Sequence, residues 1–304
     1  MESDRPYLGI LLMLAFCLLA PLGDAIAKLL GATLSIGALI AVRFGAQALT
    51  LLPLAFAMRL PWPRGARVLR LVALRTALHV LGIGMMFTAL RHLPLADALA
   101  IVFVMPFLML LAGWLLLNEE DGPHRLGACA AGFVGTLMVI QPNFVESGWP
   151  ALLPLGVAVA FVGFMLVTRR IAKVVDPIAM QGVSGLMAIA VLAPLALALP
   201  GLPVLSFAGL GESSPVLLVL MALIGTVAHL FMTWSLRFAP SATLAPMQYM
   251  EIPFATLIGW LIFRDLPDGL AALGICVTVA AGLYIILRER AISRRPYPPA
   301  PEAP

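Results

Sequence analysis

Long apolar stretches recur along nearly the whole of this chain and leave little room between them. Each is about 17 to 25 residues long, which is enough for an α-helix to cross the roughly 30 Å hydrocarbon layer of a bilayer. Hydrophobic residues make up 62% of the 304 residues and charged residues only 11%, whereas soluble domains carry about 25% charged residues. A segment in lipid must satisfy its backbone polar groups internally. The sequence therefore predicts an all-α integral membrane protein.

Breaks at Pro, Gly and charged residues divide the apolar sequence into ten predicted transmembrane helices. The predicted boundaries are about 7–29, 36–58, 69–90, 95–117, 125–141, 150–168, 177–199, 214–236, 242–262 and 270–288. The first of these is longer than most signal-peptide cores and more spans follow it, so we interpret it as a span. The Pro-rich residues 291–304 are expected to form a disordered cytoplasmic tail.

The distribution of Lys and Arg predicts the orientation. With a cytoplasmic N-terminus, 14 of these residues fall in inside loops and tails, and 3 fall outside, namely Lys28, Arg91 and Arg264. Basic residues concentrate in cytoplasmic loops, so we expect both termini in the cytoplasm. The net charge of +4 is then a topology signal, and we expect no nucleic-acid partner.

The chain also repeats itself at an offset of about 146 residues. The segment ALRHLPLADALA at 89–100 resembles SLRFAPSATLAP at 235–246, with Arg91 matching Arg237. Pro106 matches Pro253 at an offset of 147. Five spans in each half would turn the second half upside down in the membrane, an arrangement that favours alternating access about a site near the midplane. We predict two inverted five-helix repeats, at 1–148 and 149–290.

These features resemble the EamA family of the drug/metabolite transporter superfamily. The resemblance covers about residues 7–288 and rests on the Leu-Arg-x-x-Pro corner after the third span of each half, the proline in the fourth, and its acidic end at Asn118-Glu119-Glu120 and Arg264-Asp265. The Arg264-Asp265 ending departs from the family's usual Gly-Glu. The resemblance implies a multi-pass secondary transporter of the bacterial inner membrane. The family includes amino-acid exporters, such as the YddG type, and importers of riboflavin and S-adenosylmethionine.

Polar and aromatic residues within the spans are the candidates for substrate binding or coupling, because an ionisable group in hydrocarbon costs about 2.5 to 3.5 kcal/mol and usually faces a cavity, a partner or a substrate. Gln248 and Glu251 share one helix face, whereas Tyr249 points elsewhere. Glu251, His79 and His229 have an alternative role as structural hydrogen-bond partners of neighbouring helices. The candidate residues are His79, Gln248, Glu251, Gln47, Tyr249, His229, Trp234 and Phe103.

Two further groups have both a structural and a functional interpretation. Asp24 and Arg43 lie in neighbouring predicted spans and form either a simple ion pair or an outer gate. Pro106, Pro246 and Pro253 are expected to kink their helices and free backbone carbonyls, or else only to shape packing. The first-half segment IVFVMPF is wholly apolar, so Gln248, Tyr249 and Glu251 are expected to carry what distinguishes this protein.

The predicted function is transport of a small amphipathic metabolite. The 15 Met and 15 Phe residues favour an apolar, adaptable interior, and export of apolar or aromatic amino acids agrees best with it. The alternatives are import of a larger metabolite such as S-adenosylmethionine or riboflavin and, remotely, an intramembrane enzyme using His79, His229 and Glu251. There is no ATP-binding motif or HExxH metal motif, so we expect no cofactor and no metal. The expected partners are the substrate and membrane lipid; monomer and homodimer both remain open.

Overall fold

The computed structural model describes residues 5–31, 34–89, 92, 101–117, 123–140, 149, 152–199, 210–211, 213–263 and 269–293. Within these ranges the regular structure is α-helical, with eleven helices. They are α1 (Pro6–Leu30), α2 (Ile36–Ala57), α3 (Ala66–Ala89), α4 (Met105–Leu117), α5 (Pro123–Ile140), α6 (Leu152–Ile171), α7 (Pro177–Ala198), α8 (Pro215–Phe238), α9 (Ser241–Gln248), α10 (Glu251–Phe263) and α11 (Gly269–Ser293). The loop residues Arg91, Pro94, Glu119, Arg264 and Asp265 and the tail from 294 lie outside the described residues.

Within the described ranges, six helices are long and apolar enough to cross a membrane: α1, α2, α3, α6, α7 and α8. Their starts follow local chemistry. The Ser35 hydroxyl accepts a hydrogen bond from the amide of Ala38 ahead of α2, and the Asp176 carboxylate accepts one from the amide of Ile178 ahead of α7. Such caps satisfy amides that the first helical turn leaves without a partner.

The most extensive helix pairs join one half of the sequence to the other: α1 with α8, α2 with α7, α3 with α6, and α5 with α11. In the α2–α7 pair, Gly182 lies against Leu52, and Gly185 lies against Ala48. Position numbers rise on α7 as they fall on α2, so the two helices run antiparallel. Glycine at both positions lets the backbones approach closely, as is common between helices in membranes.

The predicted ninth span is divided in the structure. Helix α9 ends at Gln248, residues Tyr249 and Met250 form a turn, and α10 begins at Glu251. Pro253 has no amide for the carbonyl of Tyr249, and the amide of Ile252 bonds that carbonyl at 3.1 Å instead. This bond spans three residues and tightens the chain, which ends the regular helix.

The described part of the predicted fourth span is interrupted in the same way. Residues Phe103 and Val104 form a turn just before α4 begins at Met105. Each half of the chain therefore contributes one interrupted helix to the middle of the bundle.

The start of the predicted tail also differs slightly from the structure. The tail was predicted to begin at residue 291, but α11 continues to Ser293.

Candidate substrate-binding cavity

A cavity of about 120 Å³ lies among helices from both halves of the chain. Its apolar wall includes the aromatic rings of Phe16, Phe87 and Phe161, and the flexible side chains of Met86 and Met165. These residues come from α1, α3 and α6. Aromatic faces and thioethers adapt to flat or irregular apolar ligands.

Five polar side chains line the described part of this cavity, and each comes from a different helix. They are Asp24 of α1, Arg43 of α2, His229 of α8, Gln248 of α9 and Glu251 of α10. All five are among the residues proposed from the sequence. The cavity therefore presents opposite charges and neutral hydrogen-bonding groups within mainly apolar walls.

Arg43 forms its hydrogen bond with His229. Its Nη2 atom lies 3.0 Å from the Nδ1 atom of His229 and 3.5 Å from Nε2. Asp24 is exposed on the cavity wall, and Arg43 and Glu251 are half-buried. The interaction of Arg43 with His229 ties α2 to α8 at the wall of the cavity.

A column of stacked groups extends from this pair into the bundle. The ring of His229 stacks on His79 with centroids 4.5 Å apart, and His79 in turn lies 4.5 Å from the ring of Phe164. The guanidinium of Arg75 lies over the other end of the column, 4.5 Å from the Phe164 ring centre. His79 is 1% exposed, and neither of its ring nitrogens has a hydrogen-bond partner among the described residues.

Arg75 is fully buried and links four helices. Its guanidinium, on α3, donates hydrogen bonds at 2.8 to 3.2 Å to Thr168 of α6, Gln181 and Ser184 of α7, and Thr233 of α8. All four acceptors are neutral oxygens. A buried charge needs such bonds to offset the loss of water, so this network fixes the packing of the helices beyond the column.

Gln248 is oriented by sulfur atoms. Its Nε2 donates to the Sδ atoms of Met109 at 3.1 Å and Met165 at 3.6 Å. Its Oε1 has no partner among the described residues, although the side chain is 1% exposed. This amide oxygen is an acceptor beside the cavity, and the turn of Tyr249 and Met250 separates Gln248 from Glu251 at the start of α10.

Five of the eight candidate binding residues are not among the described residues that line the cavity, namely His79 in the column described above, Gln47, Tyr249, Phe103 and Trp234. The Nε2 of Gln47 donates to the carbonyl oxygen of Gln181 at 2.6 Å, which joins α2 to α7. Tyr249 and Phe103 contact each other, and Trp234 packs with Leu51, Ile178 and Leu230. These side chains support the bundle around the cavity.

Sequence reasoning left Arg75 without a role of its own and missed Phe164 entirely. The same signal that singled out Glu251, an ionisable residue deep in an apolar span, also applies to Arg75. No comparable signal marks Phe164, because phenylalanine is common in apolar spans. Among the described residues no group of three His, Cys, Asp or Glu side chains could hold a metal ion.

A polar-lined cavity enclosed by membrane-length helices from both halves of a chain is the arrangement of a multi-pass membrane transporter. The family comparison agrees. The model of the EamA-like transporter family matches the chain twice, over residues 7–141 and 148–288. The chain therefore belongs to the EamA-like transporter family, and the membership indicated by its sequence motifs is confirmed.

Curated relatives are small-molecule transporters. The riboflavin transporter of Rhizobium johnstonii is 31% identical, over 73% of this chain and 72% of its own length. The S-adenosylmethionine uptake transporter of Rickettsia prowazekii is 21% identical, over 65% of each chain. A solved crystal structure matches with a TM-score of 0.71 at 19% identity, covering 93% of this chain and 98% of that chain, which supports the fold. The two relatives from Rhizobium and Rickettsia are both named as transporters.

Proposed function

We propose that this protein is a secondary transporter that imports a planar, nitrogen-containing aromatic metabolite of the riboflavin type by alternating access. The observation that carries the proposal is the cavity wall, in which the rings of Phe16, Phe87 and Phe161 accompany the polar groups. Aromatic faces can stack on a flat ring system, while polar side chains pair with its edge. The similarity to a riboflavin transporter favours the same class of substrate.

The proposal includes ten transmembrane spans in two inverted repeats, at 1–148 and 149–290, followed by a cytoplasmic tail. The two family matches support the repeat. So does the antiparallel packing of α2 with α7, because these helices occupy the same position in the two halves. In this arrangement both termini are cytoplasmic and the protein lies in the bacterial inner membrane.

The direct test is uptake of labelled riboflavin by proteoliposomes that contain the purified protein. We expect saturable uptake above that of protein-free liposomes, with competition by unlabelled riboflavin. Uptake that equals the protein-free control would contradict the proposed substrate. The same liposomes, tested with labelled S-adenosylmethionine, phenylalanine, methionine and threonine, compare the other substrate classes directly.

A second candidate is a zwitterionic substrate such as an amino acid, whose export was the function favoured by the sequence. The observation that favours it is the presence of the Arg43 guanidinium and the Asp24 and Glu251 carboxyl groups in one cavity. The guanidinium can donate charge-assisted hydrogen bonds to a substrate carboxylate, and the carboxyl groups can accept hydrogen bonds from a substrate ammonium group. The two relatives described above are named for riboflavin and for S-adenosylmethionine uptake. Saturable flux of phenylalanine without flux of riboflavin would favour this candidate.

A further inference from the structure

The side-chain amide of Gln248 is held at its nitrogen end. Its Nε2 lies 3.1 Å from the Sδ atom of Met109 on α4 and 3.6 Å from that of Met165 on α6. A thioether sulfur accepts hydrogen bonds and has no hydrogen to donate. Only the NH2 end of the amide suits this place, because the amide oxygen would set one acceptor against two others. The two sulfurs therefore determine which end of the amide faces them.

The other end of the amide, Oε1, is an acceptor without a donor. It makes no hydrogen bond with the described residues, and the whole side chain is 1% exposed. Buried polar groups are nearly always hydrogen-bonded, so an exception needs an explanation. Gln248 lines the cavity, and a ligand bound there can supply the missing donor.

The two methionines differ in their relation to the cavity. Met165 belongs to the cavity wall, whereas Met109 is fully buried and is not among the described residues that line it. The shorter contact with the amide is that of Met109. The unbranched side chain of Met165 has three rotatable bonds, so it can adapt to a ligand. Met109 then keeps the orientation of the amide while Met165 moves.

We propose that Oε1 of Gln248 accepts a hydrogen bond from an N–H group of the substrate, and that Met109 is the positioning residue that leaves this oxygen free to do so. The inference rests on the proposed function, since it concerns the same cavity. It specifies one edge of the substrate, which must carry an N–H donor. The imide edge of a flavin ring, in which an N–H lies between two carbonyl groups, meets this requirement.

The same chemistry specifies which analogues bind poorly. A methyl group on the imide nitrogen removes the donor and leaves Oε1 of Gln248 buried without a partner, which costs the desolvation of that oxygen. A site that hydrogen-bonds an N–H of its substrate discriminates strongly against an analogue that lacks it. Methylation at this one nitrogen is therefore expected to weaken binding.

Competition for uptake tests the requirement for a donor. Proteoliposomes take up labelled riboflavin in the presence of unlabelled riboflavin or of riboflavin methylated at the imide nitrogen. With the wild-type protein, the methylated compound should inhibit uptake at least about tenfold less well. Equal inhibition by the two compounds would overturn the proposal.

Gln248→Met separates hydrogen bonding from exclusion of the methyl group by its size. Methionine is also unbranched but has no amide oxygen, so the two compounds should inhibit this variant equally. A difference as large as in wild type would contradict the role of Gln248. Met109→Leu removes the sulfur and leaves the amide free to turn, so its discrimination should lie between those of wild type and Gln248→Met.

Met232→Leu is the matched control for Met109→Leu. Both methionines are fully buried in the same apolar cluster, and the sulfur contacts of Gln248 involve Met109 and Met165. Met232→Leu should therefore discriminate between the two compounds as wild type does. Equal discrimination by Met109→Leu and Met232→Leu would exclude Met109 as the positioning residue.

The orientation of the amide can also be tested without substrate. The chain has four glutamines, so ¹⁵N labelling of glutamine side chains in lipid nanodiscs gives four NH2 groups, and the signals of Gln248 are those lost in Gln248→Met. Met109→Leu should shift these signals, whereas Met232→Leu should leave them unchanged. Unshifted signals in folded Met109→Leu protein would overturn the inference. Absence of riboflavin uptake by the wild type contradicts the proposed substrate instead, and the amide signals still test the orientation.

Discussion

The hydroxyl of Tyr249 donates a hydrogen bond of 3.1 Å to the backbone carbonyl of Phe103, and the two rings stack with centroids 5.9 Å apart. These residues are 146 positions apart, which is the offset of the internal repeat. Each lies in the two-residue turn that interrupts a helix, and both are buried. The interruption in one half of the protein therefore contacts the interruption in the other half directly.

Tyr249→Phe tests the contribution of this contact. The variant keeps the ring and removes the hydroxyl, so we expect the free energy of unfolding to fall by about 1 kcal/mol. The KM for substrate should not change, because Tyr249 is not among the described residues that line the cavity. Chemical denaturation in detergent measures the first quantity, and proteoliposome flux measures the second.

Tyr284→Phe is the matched control for that measurement. Its hydroxyl lies 2.6 Å from His124 Nδ1, at an exposed position, and exposed substitutions usually change stability by less than about 0.5 kcal/mol. An equal fall in the free energy of unfolding of Tyr249→Phe and Tyr284→Phe would show that the hydrogen bond from Tyr249 to Phe103 does not stabilise the fold more than an exposed one.

Arg75→Lys should destabilise the fold by about 2 kcal/mol. Lysine has three donors on a point charge and lacks the planar fork, so it cannot reproduce four hydrogen bonds to three helices. Arg70→Lys on the same helix is the control, because Arg70 is exposed and, among the described residues, its side chain bonds the carbonyl of Ala66, at 3.2 Å. The expected loss of about 2 kcal/mol corresponds to the strength of hydrogen bonds to charged groups. The thermal unfolding midpoints of Arg75→Lys and Arg70→Lys measure the difference. Equal midpoints would contradict the structural role of Arg75.

Gly135→Ala should disrupt the packing of α5 on α11. A Cβ atom at this position would lie 2.5 Å from the Oγ1 atom of Thr278 and 2.8 Å from the carbonyl oxygen of Gly274. Overpacking of this kind costs about 1 to 3 kcal/mol. At Gly127, on the same helix, an added Cβ meets no atom of the described residues within 4 Å, so Gly127→Ala should be neutral or stabilising. Chemical denaturation in detergent measures the free energy of unfolding of Gly135→Ala and Gly127→Ala. Equal values for the two variants would contradict the close contact of α5 with α11 at Gly135.

Glu251→Gln should reduce the rate of substrate flux by about tenfold or more, which corresponds to about 1.4 kcal/mol in the barrier. The amide has nearly the same shape as the carboxyl group but no negative charge, so the thermal unfolding midpoint should stay close to that of wild type. The measurement is proteoliposome flux, with unfolding as the control for folding. Full activity in this variant would leave Glu251 with a structural role alone.

The orientation can be tested with a cysteine at Ser147, which lies between the two family matches. In intact cells a membrane-impermeant maleimide should label Ser147→Cys, because the predicted topology places this loop outside. Cys17 and Cys129 are buried, and the exposed Cys276 is replaced by alanine in the test protein. Labelling that requires cell lysis would reverse the topology.

Much of the helical framework could be predicted because local signals mark helix boundaries. The second and seventh spans were predicted at 36–58 and 177–199, and α2 and α7 begin at the predicted residues and end one residue earlier. Caps at Ser35 and Asp176 explain this agreement. The exact interruption after Gln248 was not predictable in the same way, because it depends on which nearby amide replaces the one that Pro253 lacks.

The sequence also identified the five polar residues that line the cavity, since polar groups inside apolar spans are few. The sequence alone could not show which of these side chains would contact one another in the folded protein. The contact of Arg43 with His229, and the stacking of His229 on His79, depend on how α2, α3 and α8 pack together. Hydrophobic periodicity marks the faces of helices but does not specify their partners.

Counterflow in proteoliposomes tests most directly the claim that this cavity carries a riboflavin-type substrate by alternating access. Liposomes loaded with unlabelled riboflavin are diluted into labelled riboflavin, and the entry of label is followed over time. A carrier returns loaded with internal substrate, so we predict faster entry of label than into empty liposomes, with the acceleration weakened in Glu251→Gln. Label entry that is equal in loaded and empty liposomes would contradict this account.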